Sequence, residues 1–181
     1  MTAGATEKLA QFVVDTSFKD MPEEAIERAK TMFLNIIGVA LAGRLDSLDY
    51  RVHVLLGDGE CDEGQVWEAA MSAAHFKLDN LVAIVDNNQI QLDGWTKDIM
   101  NLEPFSQKWQ SFGWHVIEVD GHNFTQLIDA FKQAKTVKGQ PTVIIAHTVK
   151  GKGVSFMENN PDFHGKAPNA KELEIALKEL A

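Results

Sequence analysis

From Asp46 onward, short apolar runs alternate with longer amphipathic stretches, and that alternation predicts an α/β fold. Runs at about 51–56, 81–86, 114–119 and 141–147 have the length and Val/Ile/Leu content of buried strands. Helical spacing is expected over 64–78, 104–112 and 123–137, with a last helix from about 170. Gly113 is placed to stop the 104–112 helix, and Pro141 opens a strand where its missing N–H costs little. Asn169, with Glu172 three residues on, forms a capping-box-like start for the final helix. Residues 151–168 are the one long irregular stretch. Residues 1–43 differ in kind. Leu9, Phe12, Val13 and Phe18 suggest one amphipathic helix. A second begins at Asp20-Met21-Pro22-Glu23-Glu24, where a capping Asp, an early Pro and acids suit a helix start, and it runs to Gly43. The organisation read from this pattern is a helical hairpin over 1–43 and an α/β unit over 44–181, packed as one compact body.

The segment from Val52 to Gly94 reads as strand, glycine turn, helix, strand and amide-rich turn, which is one βαβ unit. The strands end in Gly57-Asp58-Gly59 and Asp86-Asn87-Asn88. A right-handed crossover sets those two carboxyl ends side by side on one sheet edge. Oxygen donors so placed suit a hard cation holding a diphosphate, because Mg²⁺ takes few protein ligands and keeps places for phosphate oxygens and water. Asp58 offers a carboxylate and Asn88 an amide oxygen, and the backbone carbonyl of Ile90 can complete the set. Gly57 and Gly59 let the backbone approach phosphates with no Cβ in the way, and the following helix directs its positive end at the same place. The bland reading is that Asp58 and Asn88 only cap turns.

Spacing favours the first reading. Residues 60 to 86 separate Gly59 from Asn87, and this 27-residue interval fits the GDG-x(24–27)-NN signature of thiamine-diphosphate enzymes. From about Leu41 on, the chain resembles transketolases of the short, N-terminal-subunit form, in GDGECDEGQVWEAA, KLDNLVAIVDNN, LDG, FGWHVIEVDGHN, GQPTVIIAHTVKGKGVSFMENN and FHGKAPN. The resemblance implies a parallel sheet with helices on both faces, a truncated thiamine-diphosphate-binding fold. It also implies thiamine diphosphate and Mg²⁺ as cofactors, with Ca²⁺ as a possible substitute. Asp58, Asn88 and Ile90 would be the metal ligands. Gly57, Asp58, Gly59, Asn88, Lys150 and His164 would line the cofactor, with His164 also facing the substrate channel. Glu63 and Glu68 match glutamates that lie at the dimer interface and connect two cofactor sites in that family. Residues 5–43 instead resemble the opening helices of the MmgE/PrpD family, so the chain reads as a chimera joined within residues 38–43.

A net charge of −9 offers no basic face for nucleic acid, yet a metal can reverse the sign locally for an anionic cofactor. Cys61 is the only cysteine, so no internal disulfide forms and a reducing compartment is expected. With no signal peptide and no apolar run long enough for a bilayer, neither membrane nor export is expected and the cytoplasm is the default. His75 reads as a packed helix residue, His122 as part of a turn and helix cap, and His53 and His115 as structural or exposed. His147 is a weak candidate near the site, and Cys61 a small turn residue rather than a nucleophile.

Transketolase chemistry moves two-carbon ketol units between sugar phosphates. By resemblance it needs a glutamate from a pyrimidine-binding domain, and a front portion with GHP-type histidines and a GSLGQG loop, neither of which stands in this sequence. The expected function is therefore a cofactor-binding fragment, inactive unless joined by a C-terminal, pyrimidine-binding subunit. The alternative is an inert α/β chimera that folds and self-associates into a homo-oligomer, since a shortened sheet exposes an edge and apolar surface.

Overall fold

The computed structural model describes residues 50–181. The hairpin expected over 1–43 and its resemblance lie outside the described residues. Four parallel strands form the main sheet: β1 (Val52–Gly57), β2 (Leu81–Asn87), β5 (His115–Asp120) and β6 (Thr142–His147), in the order β1-β2-β6-β5. Two-residue strands β3 (Ile90–Gln91) and β4 (Gly94–Trp95) make a small antiparallel hairpin after β2. The helices are α1 (Gly64–His75), α2 (Thr96–Ile99), α3 (Phe105–Ser111), α4 (Phe124–Thr136) and α5 (Ala170–Glu179). Strand and helix bounds fall within a few residues of the expected ones.

Period-two alternation divides the strands between two cores. Leu81, Ala83, Val85, Val143 and Ile145 face Ala70 and Ala73 of α1 and Phe105 and Trp109 of α3. Val82, Ile144, Ala146 and Val119 face Leu127, Ala130, Phe131 and Ala134 of α4. Helices therefore cover both faces, as right-handed crossovers running in opposite directions require. The first core is aromatic. Trp109, 1% exposed, meets Trp67 at 5.1 Å and Trp114 at 5.0 Å between ring centres, and Trp114 Nε1 donates to the Ala70 carbonyl at 2.9 Å.

Two expectations need correction. β1 is half-buried rather than buried, with Leu55 72% exposed. It has one strand neighbour among the described residues; Val52, Val54 and Leu56 pack on the α1 and α3 side, while on the other face His53 makes an edge contact with Phe131 of α4 at 5.5 Å and Leu55 stays open. His75 is exposed, because α1 ends there and its ring has only an edge contact with Phe76 at 5.0 Å. The stretch after β6 has more local structure than expected. Gly151, at φ +71°, would place a Cβ 2.5 Å from the Met157 carbonyl oxygen, so the turn closes only on glycine. A 3-10 turn, Pro161–Phe163, follows beside β4. Glu179 of α5 accepts from both Ser155 N–H and Ser155 Oγ at 2.7 Å, which ties the last helix to this loop. The Asn169–Glu172 capping box is present. Among the described residues no helix is long and apolar enough to cross a membrane.

Candidate functional site

Because the strands are parallel, all four carboxyl ends open on one edge, and register decides which tips meet. Gly57 pairs with Asp86, and Asn87 pairs with His147, which is also opposite Asp120. Asp58 follows β1 directly. Its Oδ1 accepts from Gly59 N–H at 2.8 Å and its Oδ2 from Gln89 N–H, so the carboxylate bridges the β1 tip to the turn after β2. Gln89 adopts φ +63°, which turns that N–H toward Asp58. Asn88 Oδ1 accepts from Ile90 N–H at 2.9 Å in a local turn. Each of these side-chain oxygens carries a second lone pair that its hydrogen bond does not use. Asp58 and Asn88 thus both accept from backbone N–H groups of the turn after β2.

Asp58 is 1% exposed, and no Lys or Arg of the described residues is among the groups perturbing it. Burial pushes its acidity up from the ordinary 3.8 to about 6, and nearby Asp86 adds to the rise against the bonds from Gln89 and Gly59. A carboxylate desolvated without a cation is costly, and a divalent ion removes that cost. The donor set of carboxylate, amide and backbone carbonyl is all hard oxygen, which suits Mg²⁺ or Ca²⁺. Among the described residues no group of three or more His, Cys, Asp or Glu could bind a metal by itself. A cation here would therefore complete its shell with phosphate oxygens and water. The residues present fit a metal–diphosphate group.

The glycines divide their roles. A Cβ on Gly59 would lie 2.6 Å from Gln91 Cβ, so β3, part of the chain itself, requires glycine there. A Cβ on Gly57 would meet nothing closer than Glu60 Oε2 at 3.6 Å, which leaves its face open. The first turn beyond Asp58 is a 3-10 turn, Gly59–Asp62, and Glu60 Oε2 accepts from Gly57 N–H at 2.6 Å. The positive helix end expected at this spot is therefore preceded by an acidic turn. Cys61 in that turn is buried, and its thiol is pushed up to about 12 by that burial and by the surrounding acids.

Lys150 stands three residues past β6, on the same edge. Its segment is pinned: Thr148 N–H donates to the Asn87 carbonyl at 3.2 Å, Thr148 Oγ1 to Asp86, and Asn159 N–H to the Lys150 carbonyl at 3.0 Å. His164 is exposed and closes the Pro161–Phe163 turn, on the side of β4 and the β2 turn. Glu63 caps α1 without a side-chain bond, and Glu63 and Glu68 are both exposed. His147 pairs with Glu118 at 2.9 Å and contacts Asn87 at 3.4 Å. Bonds from Ser106 and His147 hold the Glu118 carboxyl below its ordinary range. Sequence reading missed Gln89, Thr148, Glu60 and the acceptor role of His122, because each acts through a contact that only folding creates. The Asn-Asn pair before Gln89 was the one local hint of a tight turn.

Residues 40–181 match the family described as transketolase, thiamine diphosphate binding domain. A 6-deoxy-6-sulfo-D-fructose transketolase subunit of Clostridium sp. (strain MSTE9) is 44% identical over 148 residues, 82% of this chain and 54% of that protein. An apulose-4-phosphate transketolase subunit of Phocaeicola vulgatus is 42% identical over 145 residues, 80% of this chain and 52% of that protein. The chain thus spans about half the length of these curated relatives. The solved transketolase of Campylobacter jejuni superposes with a TM-score of 0.75 at 28% identity, over 81% of this chain and 24% of that one. With residues 40–181 matched by that family, the chain belongs to the transketolase family, as its thiamine diphosphate binding domain.

Proposed function

We propose that this chain carries the metal–diphosphate half of a transketolase-type site. Asp58, Asn88 and the Ile90 carbonyl hold Mg²⁺, and Lys150 and His164 receive the diphosphate together with the open backbone at Gly57. The buried carboxylate of Asp58, held by two backbone N–H groups and paired with no cationic side chain among the described residues, is the observation that carries this reading. When bound, thiamine diphosphate supplies the electron sink for breaking a carbon–carbon bond beside a carbonyl. The residues of this chain bind and orient it: Lys150 acts as a point charge on phosphate, and His164 stands toward the substrate side. Both relatives above are named as transketolase subunits. We extend this to the present chain as a need for a pyrimidine-binding partner subunit, with the exposed Glu63 and Glu68 at the joint and no transfer of ketol units by the chain alone.

Isothermal titration with thiamine diphosphate, with and without Mg²⁺, tests the reading. Heat that depends on Mg²⁺ is expected. Its absence at millimolar cofactor, in a chain shown to be folded by circular dichroism, would refute it.

A further inference from the structure

We propose that His122 is a positioning residue for the phosphate side of this site, holding the backbone from which Lys150 extends. The inference rests on the reading above, in which Lys150 faces the diphosphate. His122 Nε2 accepts from Val149 N–H at 2.7 Å, the shortest distance across which β5's turn reaches the segment after β6. An imidazolium has two donors and no acceptor, so only the neutral ring with its proton on Nδ1 can make this bond. The ring is itself held in place. His122 N–H donates to Asp120 Oδ1 at 2.9 Å, and Gly121 N–H to the His147 carbonyl at 2.8 Å. A Cβ on Gly121 would lie 2.4 Å from Thr148 Cγ2, so the turn lies directly against the segment it holds.

Thr148 is tied to Asp86 and Asn87, and Lys150 is tied through its carbonyl to Asn159. Val149 lies between them, and His122 is what fixes its amide. Loss of that acceptor frees the Val149 amide and leaves this residue held only through its carbonyl, which accepts from Lys152 N–H at 3.2 Å, between the ties at Thr148 and Lys150. The charged groups near the ring are Asp120 on its own turn and Glu158, with its partner Lys152 at 3.5 Å, on the following loop. A charged ring releases Val149, so acid should loosen the diphosphate side of the site.

Two variants and two measurements decide the matter. His122→Gln offers an acceptor of similar reach that does not titrate, and His122→Phe offers none. In ¹⁵N-labelled protein, coupling across the hydrogen bond between Val149 N and His122 Nε2 is expected at alkaline pH and is expected to vanish as the ring protonates. Titration with thiamine diphosphate and Mg²⁺ at about pH 8 should show H122F binding about fivefold more weakly than wild type, the value of one hydrogen bond. H122Q should match wild type there and lose less affinity in acid, because its amide oxygen stays an acceptor when an imidazole would be protonated. Asp58 titrates in all three proteins, so the ratio of H122Q to wild type isolates His122. Wild-type affinity in H122F, a ratio that does not change with pH, or no coupling would overturn the proposal. Should H122F fail to fold, the H122Q ratio and the coupling decide alone. Absence of binding by wild type at every pH would instead remove the cofactor reading, and this inference with it.

Discussion

Asp58→Asn separates ligand from structural cap, because the two roles predict opposite effects on stability. The carboxyl is 1% exposed and its acidity is displaced upward to about 6. A displacement of that size makes the charged form about 3 kcal/mol less favourable in the folded chain than in the unfolded one. The unfolded chain gives up this proton near its ordinary value and the folded chain holds it to about 6. Stability from this group is therefore present below pH 4, declines between about 4 and 6, and stays low at neutral pH. Asparagine keeps the shape and removes the charge. It also turns one amide donor toward Gly59 or Gln89, forfeiting a hydrogen bond at about 1–3 kcal/mol. Without cofactor at pH 7.5, D58N should thus be as stable as wild type or up to about 2 kcal/mol more stable. Urea unfolding measures this. D58N should also flatten the decline between pH 4 and 6 and abolish Mg²⁺-dependent cofactor binding. In wild type, metal binding should release about half a proton at pH 6 and almost none at pH 8, read from titrations in buffers of different ionisation heat. A D58N chain that loses several kcal/mol at neutral pH while still binding cofactor with Mg²⁺ would show that Asp58 is a turn cap, and would refute the reasoning.

Gly59→Ala should cost about 1–3 kcal/mol through its clash with Gln91, whereas Gly57→Ala should leave the cofactor-free fold within about 0.5 kcal/mol of wild type and weaken cofactor binding; urea unfolding and titration distinguish them. Trp114→Phe should destabilise more than Trp109→Phe by about 1 kcal/mol, although Trp109 is the more buried, because Trp114 Nε1 bonds the Ala70 carbonyl and Trp109 Nε1 has no partner among the described residues. Thermal unfolding gives the order. Cys61, buried with its thiol pushed up to about 12, should resist a thiol reagent at pH 8 in the native chain and react promptly in denaturant; rapid native labelling would mean that the Gly59–Asp62 turn opens readily.

The fold was legible because period and punctuation agreed. β2 and β6 are short apolar runs with turn residues at both ends, and α4 and α5 have recognisable caps at Asn123 and Asn169. The interval between Gly59 and Asn87 was enough to pair the strand tips. Position within a sheet was not legible, since β1 has the same apolar character as a central strand and only the strand order makes it an edge among the described residues. The β3–β4 hairpin has two residues per strand and no period to read. The need for glycine at 59 was credited to a ligand when Gln91 supplies it, a contact across 32 positions. His122 had the right place, a turn, but its bond to Val149 depends on β5 and β6 lying side by side.

Strand order also explains why the site gathers where it does. β1 and β6 flank β2, so the tips bearing Asp58, Asn88 and Lys150 are successive neighbours. At about 4.8 Å per strand they span roughly 10 Å, the scale of a cation with a diphosphate. α1 leaves toward one face and α4 toward the other, so the tips between them, those of β2 and β6, are not roofed by either helix. This is the switch point where open α/β sheets receive ligands. β5 lies one strand beyond it, and its turn meets the end of β6 and the segment after it through Gly121 N–H to the His147 carbonyl and through His122 to Val149. The backbone bonds among these tips, Asp58 N–H to the Asp86 carbonyl, Thr148 N–H to the Asn87 carbonyl and Gly121 N–H to the His147 carbonyl, extend the ladder beyond the strands proper. On the proposed reading they fix the donor oxygens before any ion arrives, so that binding would spend little on ordering the loops, and the charge left on Asp58 would be the main energy for a cation to recover.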